Sequence, residues 1–122
     1  VSDVEQIAEV VHRRKLPLIV DEAHGAHFPF SEQFPKDSVS CGADVVIHSV
    51  HKTLPSLTQT ALIHLNGDLI NREKIRYFLG VYQSSSPSYV MMAGIDQCME
   101  WVSSHRKEFD SFGRSQTRLA WD

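Results

Sequence analysis

The sequence has little cysteine, no long hydrophobic run and no excess of basic residues, and each absence excludes a class of protein. Two cysteines in 122 residues give neither a disulfide framework nor a metal-ligand spacing, so we expect a reducing, cytoplasmic environment. No apolar run approaches the roughly 18 residues of a membrane-spanning helix, and no signal-peptide pattern is visible. Lysine and arginine number 12 against 15 acidic residues, which disfavours nucleic acid and anionic membranes as partners.

What remains is the composition of an ordinary soluble globular domain, with 42% hydrophobic and 22% charged residues. The length allows one domain at most. The chain begins without a methionine, and its last segment, 105–122, is polar and reads as a helix with no clear stop. We therefore expect a fragment of a larger protein.

The apolar residues follow two patterns, which together predict an α/β fold. Helical spacing opens the chain, where Ser2 and Glu5 suggest a capping box, and returns at 75–82 and after Ser86-Pro87. Three short continuous runs, 18–20, 43–47 and 61–65, are typical of strands buried on both faces of a largely parallel sheet. Three strands are few for such a sheet, so we expect further strands from outside this chain.

Histidine and other polar residues concentrate directly after the first two predicted strands. Four of the seven histidines lie between positions 24 and 51, within the stretches DEAHGAHF (21–28) and HSVHKTLPSLTQTA (48–61). Ligands of open α/β sheets bind outside the carboxyl ends of the strands. These two stretches are therefore the predicted functional site.

The residue types in these stretches leave several chemistries open. Asp21 leaves a buried strand and could cap a turn, pair with Lys52, or pair with a cationic nitrogen of a ligand. Lys52 could be a solvated surface charge, or an amine nucleophile if a cleft lowers its pKa. Ser49, His51 and Lys52 together would also suit a phosphate group.

Two other classes of protein share part of this pattern. DEAH also occurs in nucleotide-dependent motor proteins, but the phosphate loop G-x-x-x-x-G-K-[ST] is absent from this sequence. A metal site would have to use the four clustered histidines with Asp21, although Gly25 and Pro29 argue against the helix that an H-x-x-H pair needs. Both signals are therefore weak, and we expect no metal.

Three blocks in order, DEAHGAHF, SVHKTLPSLTQTA and QSSSPSYVMMAGID, resemble the pyridoxal-phosphate-dependent ornithine/lysine/arginine decarboxylases of the aminotransferase fold, most closely their compact bacterial type. The likeness extends over about residues 16–100. It implies that residues 1–122 are the middle of the large cofactor-binding domain, a mostly parallel sheet of fold type I. The family's phosphate loop and ring-stacking residue would precede this chain, and its small domain would follow.

The resemblance assigns the principal pair of the site. Lys52 matches the lysine that forms the internal Schiff base, and Asp21 matches the aspartate that pairs with the protonated pyridine nitrogen. Ala23 matches the small residue against the ring face, and His24 matches a position that can reach the ring hydroxyl.

The resemblance also implies residues around the cofactor phosphate. Ser49 and His51 match positions that hold or approach it, and His51 is in addition a possible proton donor in catalysis. Ser84, or Ser85 if the register slips by one, matches a hydroxyl that reaches the phosphate of a neighbouring subunit, which implies a homodimer. We interpret His27, His48 and Gln59 as structural residues rather than members of an outer shell of the site.

The activity implied is decarboxylation of arginine, lysine or ornithine to a polyamine or its precursor, with little turnover by the isolated fragment. Another pyridoxal phosphate reaction on the same fold, such as transamination, is the nearest alternative. From other classes, a nucleotide-dependent module or a non-catalytic remnant that contributes only to assembly would compete with it.

Overall fold

The computed structural model of the chain describes residues 2–111, which contain three strands and several helices. In chain order the elements are α1 (Val4–His12), β1 (Ile19–Asp21), a 3-10 turn (Phe28–Phe30), β2 (Val45–Ser49), α2 (Val50–Thr53), β3 (Ala61–Leu65), α3 (Arg72–Tyr82) and α4 (Tyr89–Ser104). Residues 106–111 are also helical, and residues 112–122 of the predicted 105–122 segment lie outside the described residues. No helix within 2–111 is long and apolar enough to cross a membrane.

The three predicted strands form one sheet in the order β1-β2-β3. β1 runs parallel to β2, with Asp21 opposite Ile47, and β3 runs antiparallel to β2, with Ile63 opposite Ile47. The expected largely parallel sheet is therefore a mixed sheet within the described residues. The reason is the link between β2 and β3, residues 50–60, because a parallel crossover needs about a dozen residues or more and this link holds a single helical turn.

The two faces of the sheet differ in burial. Val46 and His48 point to the core side, where a buried cluster lies. That cluster consists of Ala26, Val50, Leu54, Cys98 and Val102. On the opposite face Ile19 is 63% exposed, and Ile47 and Ile63 are each 38% exposed. Val45 on this face is buried, so the face is covered only in part by the described residues, and the predicted burial on both faces stays a prediction that needs further chain.

The helix starts also differ from the sequence expectation by one or two residues. Asp3, not Ser2, caps α1 by accepting a hydrogen bond from the Gln6 N–H at 3.0 Å. Ser88 caps α4 in place of Ser86, whose N–H is bonded to the Ser84 hydroxyl at 3.0 Å. Both helices keep a side-chain cap of the favoured type.

Candidate functional site

A cleft of about 410 Å³ opens where β1 and β2 end. It is lined by Asp21, Glu22, Ala23, His24, Gly25, Phe28 and Lys52. The two strands are parallel neighbours, so their carboxyl ends lie at the same edge of the sheet. The turn after β1 and the helix after β2 therefore meet there, and four of the predicted site residues share one cleft.

Asp21 is the last residue of β1 and projects from the exposed face of the sheet. Its Oδ1 atom accepts a hydrogen bond from the Ala23 N–H at 3.1 Å, which fixes the carboxylate over the start of the turn. Among residues 2–111, Oδ2 has no hydrogen-bond partner, and Asp21 forms no ion pair with Lys52. One carboxylate oxygen is thus available to a cationic donor from a ligand.

Lys52 is exposed and lies in the single turn of α2, which follows β2 without a gap. Its Nζ atom is 3.3 Å from His24 Nε2. An ammonium group can only donate, so His24 Nε2 accepts and the imidazole proton is on Nδ1. This contact brings the two stretches of the sequence together through their side chains, with the amine at the cleft.

Ser49 adjoins the cleft but does not line it. Its N–H donates to the Ala23 carbonyl at 3.3 Å, and alternation along β2 puts its side chain on the face that carries Asp21. Ser49 is the N-cap of α2, yet its hydroxyl makes no capping bond. Among residues 2–111 the hydroxyl has no other hydrogen-bond partner, so it is available to a ligand.

His51 and the serines after α3 are not among the residues that line the cleft. His51 Nδ1 donates to the Thr60 carbonyl at 3.1 Å, which leaves Nε2 as the only atom of its ring that could serve a ligand. Ser84 is exposed and bonds locally to the backbone of Ser86, and Ser85 is exposed beside it. Their predicted role in a neighbouring subunit stays a prediction.

The metal interpretation finds no ligand set in this geometry. Within residues 2–111, no three His, Cys, Asp or Glu side chains converge so that they could hold a metal ion. His27 instead packs edge-on against Phe34, with ring centroids 4.4 Å apart, and burial lowers its pKa.

A buried polar network behind the cleft was missed by the sequence analysis. The Glu22 carboxylate accepts hydrogen bonds from the Ser38 hydroxyl at 2.6 Å, from the Ser38 N–H at 3.2 Å and from His48 Nε2 at 2.7 Å. His48 Nδ1 is 3.1 Å from His64 Nε2. Alternation at the end of β1 signals that Glu22 points away from Asp21, but no sequence pattern identifies Ser38 or His64 as its neighbours.

The network makes stability depend on pH through His64. Desolvation, and secondarily the adjacent His48, lower the pKa of His64 below the ordinary 6.5. As the pH falls below 6.5 the unfolded chain binds the proton first, so the stability associated with neutral His64 is present above that pH and lost towards the lowered pKa. We expect the urea midpoint to drop between about pH 7.5 and about pH 5.5, and to drop less in His64→Gln. An equal drop in the two proteins would contradict this assignment.

Comparison with known families gives the site its context. Residues 1–111 match the family model described as the Orn/Lys/Arg decarboxylase major domain. The chain belongs to this family. The match includes both stretches that line the cleft and extends through α4.

Three curated proteins are similar in sequence to this chain. The chain is 44% identical over 102 residues to the uncharacterized protein YaaO of Bacillus subtilis (strain 168), covering 83% of this chain and 21% of that protein. It is 34% identical over 107 residues to an arginine decarboxylase of the same strain, and the match covers 88% of this chain and 22% of that protein. It is 32% identical over 106 residues to an arginine decarboxylase of Bacillus anthracis, and the match covers 87% of this chain and 22% of that protein. The chain thus spans about a fifth of the length of these relatives.

Proposed function

We propose that this chain is the catalytic centre of a pyridoxal-phosphate-dependent decarboxylase of a basic amino acid. The observation that carries the proposal is that Asp21 and Lys52, which lie 31 positions apart in the sequence, line the same cleft at the ends of two parallel strands. Membership in the Orn/Lys/Arg decarboxylase family supports the reaction class, and the relatives named arginine decarboxylase make arginine the first substrate to test.

The residues of the cleft fit this cofactor. Asp21 has one carboxylate oxygen bonded and one available, as a partner of a protonated pyridine nitrogen requires. Ala23 offers a small, half-buried side chain against which an aromatic ring can lie. Lys52 supplies a primary amine for covalent attachment. Ser49 adjoins the cleft, and its hydroxyl, which makes no capping hydrogen bond, suits a phosphate oxygen.

When bound, the cofactor supplies an electron sink for the charge that develops at the substrate α-carbon. Asp21 holds a proton at the pyridine nitrogen, because a close carboxylate favours the cationic form. His24 Nε2 lies beside the Lys52 amine, where it accepts a hydrogen bond that orients the amine in the cleft. His51, with Nδ1 held by Thr60, presents Nε2 as a phosphate partner or proton donor.

The proposal extends to the assembly that the whole protein forms. We expect the mostly parallel fold type I sheet to be completed by chain outside residues 1–122, and a homodimer in which Ser84 serves the cofactor phosphate of the neighbouring subunit. We place the protein in the cytoplasm, which accords with Cys41 and Cys98 being free thiols. The exposed apolar face of the sheet accords with further chain packing on it.

The test uses the full-length protein and an Asp21→Asn variant. Wild-type protein titrated with pyridoxal phosphate should develop the absorbance of the covalently bound cofactor and release carbon dioxide from arginine, lysine or ornithine. Asp21→Asn should lower the rate on the order of tenfold to a hundredfold, since a hydrogen bond to a charged group contributes about 1.5–3 kcal/mol.

Two outcomes would count against the proposal. Release of a keto acid without carbon dioxide would replace decarboxylation by transamination on the same cofactor. Folded wild-type protein that develops no cofactor absorbance would exclude the cofactor itself.

A further inference from the structure

One hydrogen-bond chain crosses the sheet, starting at Glu22 in the lining of the cleft. Glu22 follows β1, His48 lies in β2 and His64 lies in β3, and their side chains are joined in that order by contacts of 2.7 Å and 3.1 Å. We call these three residues the cross-strand chain. Ser38 completes the coordination of the Glu22 carboxylate from the loop between β1 and β2.

The cross-strand chain is coupled to the cleft by the backbone. Glu22 lies between Asp21 and Ala23, and its N–H donates to the Ile47 carbonyl at 3.0 Å. His48 lies between Ile47 and Ser49, and Ser49 bonds in turn to the Ala23 carbonyl. The Glu22–His48 bond therefore links the turn that carries Asp21 to the strand end that leads into α2 and Lys52.

Burial makes this link stiff. The side chains of Glu22 and His48 are only 10% and 6% exposed, so water does not compete for their hydrogen bonds. A carboxylate only accepts, so His48 Nε2 donates to Glu22, and with neutral imidazoles His64 Nε2 donates to His48 Nδ1. Moving the Asp21 turn away from β2 would leave a carboxylate buried without its partners, which is costly.

We propose that Glu22 and His48 are positioning residues of the cofactor site. Their hydrogen bond sets the position of the Asp21 carboxylate relative to Lys52, and with it the alignment of the pyridine nitrogen and the covalent attachment point. This inference rests on the proposed function, and it adds two residues that act by holding Asp21 and the start of α2 in place.

The protein contains a second histidine–carboxylate pair at the opposite end of the same strands, and this pair serves as a control. His12 Nε2 lies 2.7 Å from Asp44 Oδ2, the same separation as in the Glu22–His48 pair. The Asp44 side chain is 5% exposed and the His12 side chain 35% exposed, so this pair equals the Glu22–His48 pair in separation but is less buried. Asp44 also accepts a hydrogen bond from the Leu18 N–H at 2.7 Å. Since Asp44 precedes β2, this pair lies at the amino end of that strand, away from the cleft.

The experiment compares His48→Gln and Glu22→Gln with His12→Gln in the full-length protein. We expect all three to lower the unfolding midpoint. Only the first two should weaken pyridoxal phosphate binding, on the order of tenfold to a hundredfold, because a displaced Asp21 loses its charge-assisted hydrogen bond to the pyridine nitrogen. The same two should shift the pH titration of the bound cofactor's absorbance.

A second readout needs no cofactor. In the cofactor-free protein, hydrogen exchange at the Ala23 and Ser49 amides should accelerate in His48→Gln and stay at the wild-type rate in His12→Gln. If His48→Gln does not fold, Ser38→Ala can replace it, because this variant removes one donor to Glu22 and leaves His48 in place. We then expect cofactor affinity and amide exchange at Ala23 and Ser49 to change in the same direction, by several-fold rather than tenfold.

Cofactor affinity, absorbance titration and amide exchange that are the same in His48→Gln and His12→Gln would overturn the positioning role while leaving the proposed function intact. A wild-type protein that binds no cofactor would overturn the proposed function and with it the cofactor alignment. In that case, accelerated amide hydrogen exchange in His48→Gln would show only that the cross-strand chain stiffens the turn after β1.

Discussion

Lys52→Ala is expected to abolish covalent attachment of pyridoxal phosphate and to lower carbon dioxide release on the order of a thousandfold or more, as deletion of a covalent catalytic group does. The side chain is exposed, and its one hydrogen bond among the described residues is to His24. Its removal should therefore change stability by no more than about 0.5 kcal/mol. Borohydride treatment followed by peptide mass analysis measures the attachment directly.

Lys36→Ala is the matched control for this experiment. Lys36 is also an exposed lysine, but it pairs with Glu5 at 2.9 Å and does not line the cleft around Lys52. We expect Lys36→Ala to keep both the attachment and the activity. Cofactor that remains attached after borohydride treatment of Lys52→Ala would show that another amine carries it.

Gly25→Ala should be among the most destabilising single substitutions near the cleft. A Cβ atom at this position would overlap Glu22 Cγ and lie 2.9 Å from both Glu22 Cδ and Phe28 Cε2. Glu22 cannot retreat without losing its bonds to Ser38 and His48. We expect a loss of about 1–3 kcal/mol from overpacking, together with weaker cofactor binding, measured by urea unfolding and by cofactor titration.

Gly80→Ala provides the contrast, because it is the same substitution without the steric conflict. No atom lies within 4 Å of the Cβ position at Gly80, and the residue lies inside α3 on an exposed surface. Alanine is favoured over glycine in a helix interior by about 0.8–1 kcal/mol, so this variant should be slightly more stable. If Gly25→Ala is as stable as Gly80→Ala, the Glu22 side chain is not held as described.

The positions of the strands and the meeting of the two polar stretches could be predicted from sequence because they depend on local signals. Short apolar runs ending at polar residues mark strands, and parallel neighbours bring their ends together. The direction of β3 depends on the length of residues 50–60, a signal that is present in the sequence but was outweighed by the expectation of a parallel sheet. The exposure of Ile19 depends on what packs over the sheet, which no local pattern contains.

The part of the site that sequence reasoning could not reach is its support. In the sequence, Glu22 is only one residue of the DEAH stretch, and His48 is only a histidine at the end of a predicted strand. Neither context indicates that the two side chains are hydrogen-bonded. Their partnership requires the β1–β2 register and the fold of the loop that brings Ser38 under the turn. Long-range hydrogen bonds of this kind join residues 16 and 26 positions apart, beyond the reach of any helical or strand periodicity.

The cross-strand chain also constrains how this protein can evolve. A mutation that removes His48 leaves the Glu22 carboxylate without one of its donors in a desolvated position, so it is tolerated only when position 22 changes with it. The residues at positions 22 and 48 should therefore covary among related proteins. The residue at position 64 should also change in proteins where His48 is replaced. Selection on Asp21 and Lys52 thus extends to the residues that hold them in place.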